Sequence, residues 1–321
     1  LLPILELVQE ELALVEAKLC GVSEQAYPPL AAALRALLDS GGKRLRPALT
    51  ILSARFHPDP DLDAVIAAAA AVEMLHTATL VHDDLIDGAL LRRGNHTINA
   101  SWGLGSTVLA GDYIFAQAAA FAAETGNPRI ISLFAQTLKT ICDGELRQIF
   151  GQLNWEQPEE EYYRRIFSKT ASLFAASAES GAVFSGAPET GVQSLRDYGR
   201  YLGMAFQVVD DVLDFTGDEE VMGKPVGNDL RQGILTLPVF YFLQSYPQQR
   251  QRLRALVEGS DGDDGVAQAV QMIRHSSAIE AAREGARGFI AQAKAALRHL
   301  PAVEPRQTLH ELADFVVERH L

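Results

Sequence analysis

Two aspartate triplets of identical spacing occur in this 321-residue chain, Asp83-Asp84-Leu85-Ile86-Asp87 and Asp210-Asp211-Val212-Leu213-Asp214. On a helix the first and last carboxylates of each triplet lie one turn apart on the same face. Like charges at that spacing repel. Both triplets also close apolar runs, LHTATLVHDD and MAFQVVDD, where the C-terminal end of the helix dipole disfavours acids. A divalent cation relieves both penalties. Oxygen donors without neighbouring Cys select a hard ion, and Mg2+ bridging carboxylates to substrate phosphates is the usual arrangement. A single triplet reads equally well as a solvated helix end. Two of them, each interrupting an otherwise apolar helix, point to a pair of metal sites around a diphosphate.

The cations supply the counterpart. Gly41-Gly42-Lys43-Arg44-Leu45-Arg46-Pro47 sets three of them between a flexible glycine pair and a proline suited to a first helical turn. Lys43 and Arg46, three apart, can face one way. Arg92-Arg93-Gly94 follows the first triplet closely. Arg forks onto phosphate and Lys acts as a point charge, so the mixture suits diphosphates. Taken singly, each of these is as well explained as a surface charge. His76 and His82 sit in the apolar run before Asp83; His82 reads as a hydrogen-bonded core residue.

The elements that must hold these groups read as helices. Turn signals recur at 27–29, 40–42, 57–60, 103–105, 126–128, 186–188 and 223–227, and the intervals are of helix length. Alanine-rich windows cover Asp63 to Asp87, Ser106 to Ala123, Pro128 to Leu153, Pro158 to Phe184 and Val192 to Phe215, the composition of long, closely approaching helices. No run alternates with period two for long enough to predict a sheet. The reading is one all-α domain over residues 1–321. The polar patch 259–265 is expected to be an exposed loop.

Composition excludes several function classes. Hydrophobic residues make up 48% and charged residues 21%, a globular balance. The 28 basic against 41 acidic residues give a net charge of -13, which removes the basic footprint of nucleic-acid binding. Cys20 and Cys142, far apart and outside any CxxC, argue against a disulfide framework and suit a reducing, cytoplasmic setting; they are expected in the core. The first residues, LLPILELVQEELALVEAKL, read as an amphipathic helix and not a signal peptide, and the absence of an initial Met suggests a trimmed start. No uninterrupted apolar stretch reaches the ~18 residues of a membrane span, so no transmembrane segment is expected.

GGKRLRP, DDLIDGALLRRG and DDVLDFTGDEEVMGKPVGNDLRQG, together with EMLH (73–76), GD (111–112), GEL (144–146), KT (169–170) and FQ (206–207), resemble the trans-polyprenyl diphosphate synthases in order and spacing through most of the chain. The resemblance implies an all-α isoprenoid-synthase fold, a bundle of long helices around a central cavity, a homodimer, and head-to-tail condensation of isopentenyl diphosphate onto an allylic diphosphate. By matching position it implies that Asp83 and Asp87 bind Mg2+ at the allylic diphosphate and Asp210 binds another on the opposite wall, three ions in all with substrate. Asp84, Asp211 and Asp214 would act less directly. Arg92, Lys169 and Lys224 would grip the allylic diphosphate. Lys43, Arg46, His76 and Arg93 would hold isopentenyl diphosphate. Lys169, Thr170 and Gln207 would act at the allylic carbon. Ile234 departs from the pattern, since many relatives carry Lys there.

Such chemistry needs no protein nucleophile: cations stabilise the leaving diphosphate, the double bond of isopentenyl diphosphate attacks the allylic cation, and diphosphate takes the final proton. Water must be kept out. Chain length depends on what blocks the tail below the first triplet. Thr79, Ala78, Leu75, Met74 and Ala71 lie upstream of Asp83 on the same helix, and the small Ala78 and Thr79 predict a product longer than geranylgeranyl, roughly six or more isoprene units. A residue on another helix, such as Phe134, would set a shorter limit. Farnesyl or geranylgeranyl synthesis is thus one alternative. Among other classes, a His-Asp metal phosphohydrolase would use His76 and His82-Asp83 but leave Asp210 to Asp214 idle. A non-catalytic synthase subunit would be expected to have lost acids or paired arginines that this chain keeps. A terpene cyclase has no use for a second diphosphate site at Lys43, Arg46 and Arg93.

Overall fold

The alanine-rich windows all form helices. The computed structural model describes residues 3–58, 60–92, 94–217, 226–259 and 262–319, and the backbone alone of Gln25. After a 3-10 turn at Pro3–Val8 come α1 (Gln9–Gln25), α2 (Pro28–Asp39), α3 (Leu45–Ala54), α4 (Leu62–Ile86), α5 (Ile98–Trp102), α6 (Leu104–Glu124), α7 (Pro128–Phe150) and α8 (Glu159–Ile166). A π-helix, Phe167–Ala171, leads into α9 (Ser172–Phe184) and α10 (Glu189–Thr216). The remainder comprises α11 (Asn228–Arg231), α12 (Leu237–Ser245), α13 (Arg250–Glu258), α14 (Gly262–Arg274), α15 (Ala278–Ala296) and α16 (Glu304–Glu318). Among the described residues the β-structure is a two-residue ribbon, Leu91–Arg92 antiparallel to Asn95–His96.

The chain divides into two compact units. The first is Leu1–Leu138, Leu173–Gly199 and Leu297–Glu311; the second is Lys139–Ser172, Arg200–Ala296 and Leu312–Leu321. In the first, α4 is the central helix and packs on α1, α3 and α6. Asp61 caps it by accepting a hydrogen bond from the Ala64 amide at 3.2 Å. Its alanines 67–71 are all buried, and without longer side chains they let neighbouring backbones come close. Gly111 of α6 does the same opposite His82: a Cβ there would lie 2.3 Å from the imidazole. His82 instead stacks on Phe115 at 5.1 Å; its Nε2 lies 3.6 Å from Asp112 Oδ1, but its buried Nδ1 has no hydrogen-bond partner among the described residues, which corrects the expectation of a hydrogen-bonded core histidine.

By length and composition alone α4 could cross a membrane, its best 18-residue window having a mean hydropathy of 1.7. That window is 83% buried within the protein, which is the surface of a core helix and not of one facing lipid.

The second unit is built on a core of Trp155, Tyr162, Phe215, Leu230, Leu235, Phe242, Leu253 and Val270. Gly144 on α7 permits a close crossing, because a Cβ would meet Ser168 Cβ at 2.7 Å and the Lys169 amide at 2.9 Å. The segment it touches is the π-helix, which interrupts the helix expected without a break from Pro158 to Phe184. A π-turn inserts one extra residue and rotates the side chains that follow, a local event with no mark in hydrophobic spacing. Two further expectations are corrected. Cys20 and Cys142 are exposed, lying on the outer faces of α1 and α7 and not in the core. The polar patch 259–265 is a loop only in part, because α14 begins at Gly262; Asp263 and Asp264 occupy its first turn, where the helix dipole favours acids. Residues 260 and 261 lie outside the described residues. The Leu91–Arg92 ribbon was too short to give an alternating pattern.

Candidate active site

In the first unit, the C-terminal end of α4 carries Asp83, Asp84 and Asp87, with Asp87 as the C-cap. Asp83 is half-buried, Asp87 exposed and Asp84 buried. Asp84 is engaged by Arg92, whose Nε donates to Oδ1 at 2.8 Å and whose second guanidinium nitrogen lies 2.7 Å from the same oxygen. Burial works to lower the Arg92 pKa, but the Asp84 hydrogen bond and the charges of Asp84, Asp83 and Asp87 together raise it above the ordinary arginine value. The first arginine of the RRG segment is thus a fixed cation beside all three acids. The two-residue ribbon is what holds it there, with Leu91 opposite His96 and Arg92 opposite Asn95. Arg93 lies outside the described residues.

The Gly-Gly-Lys-Arg-Leu-Arg segment separates by function. Arg44 takes a left-handed conformation, φ 49°, which turns its side chain inward. One nitrogen donates to Glu73 Oε1 at 2.6 Å, another to the Leu38 carbonyl at 3.1 Å, and Nε to Glu16. On either side of Arg44 in the chain, Lys43 is exposed and Arg46, on α3, is half-buried. The Arg46 guanidinium sits over the Phe174 ring at 4.6 Å, a cation–π contact that orients it. His76 is half-buried on α4, and its carbonyl accepts from Thr79 at 2.7 Å.

In the second unit the π-helix presents Lys169 and Thr170. Lys169 Nζ is 2.7 Å from Glu145 Oε2, the acid next to Gly144. Thr170 Oγ1 donates to Gln207 Oε1 at 2.7 Å, Gln207 Nε2 donates to Asp211 Oδ1 at 2.8 Å, and the Tyr162 hydroxyl donates to Asp211 Oδ2 at 2.7 Å. Burial and the nearby charge of Asp229 push Asp211 up to about 8, against the pull of the Gln207 and Tyr162 hydrogen bonds and of Arg165. Asp214 does something different: its carboxylate accepts from the Asn228 and Asp229 amides at 3.2 and 3.1 Å, satisfying the first turn of α11. Asp210 Oδ1 is 2.9 Å from an Arg319 nitrogen. The same guanidinium donates to the Phe206 carbonyl at 3.2 Å and lies 4.0 Å over the Phe206 ring. Lys224 lies outside the described residues. Ile234 is buried, so at this position the chain offers packing and no charge.

Residues 27–273, which contain both acidic triplets, match the pattern of polyprenyl synthetases. The chain belongs to that family. It is a prenyltransferase with the all-α isoprenoid-synthase fold. Among polyprenyl synthetases of known sequence it is 41% identical to heptaprenyl diphosphate synthase component 2 of Geobacillus stearothermophilus, over 97% of each chain. It is 38% identical to nonaprenyl diphosphate synthase of Mycobacterium tuberculosis, over 98% of this chain and 93% of that one. Among solved structures, a polyprenyl synthase of Caulobacter crescentus, complexed with calcium and isoprenyl diphosphate, superposes with a TM-score of 0.92 at 37% identity, over 99% of this chain and 97% of that one.

Polyprenyl synthetases use Mg2+, and the donor set here suits it. Among the described residues no three His, Cys, Asp or Glu converge tightly enough to enclose an ion. Asp83 and Asp87, and separately Asp210, offer hard oxygen donors at helix ends, leaving an ion to complete its shell with water and phosphate oxygen, as Mg2+ does. Two participants escaped the sequence reading, Tyr162 and Arg319, while Glu145 and the Arg44–Glu73 pair stood in its motifs without a role. The signal for the last was present, an acid inside an alanine helix. Tyr162 and Arg319 lie 49 and 109 residues from their aspartates, and no local pattern connects them.

Proposed function

We propose that this prenyltransferase condenses isopentenyl diphosphate head-to-tail onto an allylic diphosphate and releases an all-trans product longer than geranylgeranyl. The observation that carries the reaction is the doubled acidic triplet, with Arg92 locked beside the first and Gln207, hydrogen-bonded to Thr170, four residues before Asp211. The hepta- and nonaprenyl relatives support the length. In this reading Asp83 and Asp87 bind Mg2+ at the allylic diphosphate and Asp210 binds a further ion, three in all with substrate. Bound Mg2+ neutralises the departing diphosphate. Arg92, Lys169 and Lys224 grip that diphosphate, while Lys43, Arg46, His76 and Arg93 hold isopentenyl diphosphate. Thr170 and Gln207 direct oxygen at the allylic carbon as its bond to diphosphate breaks, and the buried walls around them exclude water. The chain acts as one domain and pairs with a second copy, for which the exposed Leu104 and Leu109 of α6 offer an apolar face; the free thiols of Cys20 and Cys142 suit the cytoplasm. The component designation of the Geobacillus relative favours pairing with a different subunit as the second reading, which light scattering of the purified chain distinguishes.

Incubation with Mg2+, labelled isopentenyl diphosphate and geranyl, farnesyl and geranylgeranyl primers, followed by sizing of the products, tests the reaction. Absence of any prenyl product overturns it.

Chain length has a structural counterpart in the first unit. A narrow cavity of about 10 Å³ lies among Ala68, Ala71 and Leu75 of α4, Leu133 and Phe134 of α7, and Ala176 of α9. That is room for about one water, so a growing tail must part these side chains. Of the five positions upstream of Asp83, Ala71 and Leu75 line the cavity, whereas Met74 and Ala78 are buried and do not line it. Phe134 is the largest group there, so Phe134→Ala is expected to lengthen the product by at least one isoprene unit, read by chromatography of the dephosphorylated alcohols. Ala78→Phe is expected to shorten it only if the tail passes beneath Asp83. An unchanged product distribution in Phe134→Ala removes Phe134 as the limit.

A further inference from the structure

A glutamine beside a developing carbocation helps or harms according to which end of its amide faces the charge. The carbonyl oxygen stabilises positive charge and the NH2 group opposes it. Heavy-atom positions alone distinguish the two ends poorly, and the hydrogen-bond partners decide. At Gln207 the partners assign the two ends: Nε2 donates to Asp211 Oδ1, and Oε1 faces Thr170. Thr170 gives its only hydroxyl proton to that oxygen and keeps lone pairs for whatever lies beyond.

The orientation therefore depends on Asp211, which is fully enclosed and needs a donor on each oxygen. Gln207 supplies one. The Tyr162 hydroxyl, itself wholly buried, supplies the other at 2.7 Å and stops rotation of the carboxyl about its Cβ–Cγ bond. Tyr162 stands in α8, one turn before the π-helix, so the element that presents Lys169 and Thr170 also anchors the acid that aims Gln207. The ring is held in turn by edge contact with Tyr163 at 5.2 Å and tilted contact with Phe240 at 5.9 Å.

We propose that Tyr162 is a positioning residue of prenyl transfer, acting through Asp211 to hold the Gln207 amide so that Gln207 and Thr170 both present oxygen to the allylic carbon. The inference rests on the reading that Thr170 and Gln207 flank that carbon. Tyr162→Phe removes one hydrogen bond and keeps the ring. Loss of a group that orients a ligand from behind costs 10–100-fold in comparable sites, so kcat should fall about 10-fold with both KM values within about twofold of wild type. A merely structural role would not alter sensitivity to cation stability. With a 2-fluoro allylic diphosphate, whose cation is destabilised, the rate penalty relative to the natural substrate should therefore grow in Tyr162→Phe. Tyr163→Phe, which loses the hydroxyl's contacts with Tyr241 at 3.3 Å and with Glu159 and touches neither Asp211 nor Gln207, should leave kcat and the fluorine penalty unchanged.

Wild-type kcat and fluorine penalty in Tyr162→Phe overturn the assignment. If Thr170→Val and Gln207→Leu also leave the fluorine penalty at its wild-type value, the underlying reading of those two residues fails as well; if they change it and Tyr162→Phe does not, only the role of Tyr162 fails. Should Tyr162→Phe fold poorly by circular dichroism, Asp211→Asn carries the same test, because an amide cannot accept from both Gln207 and Tyr162 through two oxygens. Wild-type values in that variant overturn the relay.

Discussion

Asp83→Asn is expected to lower kcat for isopentenyl diphosphate incorporation by about 10³-fold, the scale seen when a fixed charge-stabilising group is removed from a transition state. The substitution keeps the shape of the side chain and removes its charge. Asp83 and Asp87 share one helix face at the end of α4, within the field of the Arg92 charge. The lost activity should recover in part as Mg2+ is raised, since a weaker site is filled by mass action. Asp84→Asn strips a buried partner from Arg92 and should lower the melting temperature as well as the rate. Wild-type turnover in Asp83→Asn would remove the first triplet from the reaction.

The largest effect on stability is expected at Arg44, which touches no substrate in the proposed scheme. Arg44→Ala leaves Glu73, buried in the apolar helix α4, without its 2.6 Å partner. Breaking one half of a buried ion pair costs about 3–5 kcal/mol, because the remaining charge is desolvated and uncompensated. Here it also unties Glu16 of α1 and the Leu38 carbonyl of α2. Denaturant unfolding of Arg44→Ala reads the loss. The double variant Arg44→Met with Glu73→Leu should recover much of it, since an apolar pair of similar volume can match a buried ion pair. A loss below about 1 kcal/mol in the single variant would show that Glu73 finds water or another cation. The same loop carries Lys43, so kcat/KM for isopentenyl diphosphate should fall in Arg44→Ala even at temperatures where the protein remains folded.

These two residues show what could and could not be read from the sequence. Asp83 was legible because its chemistry is local: carboxylates at i and i+4 define their own geometry once the helix is granted. Long helices were legible for the same reason, and α4, α6, α7 and α10 fall within a few residues of their alanine-rich windows. Arg44 was not separable from Lys43 and Arg46, since three neighbouring cations look alike until backbone φ decides which one turns inward. Ala78 drew attention by its distance in sequence from Asp83, whereas the cavity is lined one and two turns further along α4 and from α7. Cys20 and Cys142 were assigned to the core by residue type, and the helix faces they occupy put them outside.

Sequence alone determined the class of fold and reaction, through two acidic triplets, a cationic loop and helix-length spacing, all of which act over a few residues. Tertiary structure decided which members of each motif are available for chemistry. Of the inner and last acids, Asp84 belongs to Arg92, Asp211 to Tyr162 and Gln207, and Asp214 to the first turn of α11. Asp210 is held by Arg319, an arginine 109 residues away. Each of these assignments rests on a hydrogen bond between residues separated by a loop, a ribbon or a hundred residues of chain. Such bonds form only after packing has brought buried polar groups together and required each to find a partner, and that requirement leaves no periodic trace in the sequence.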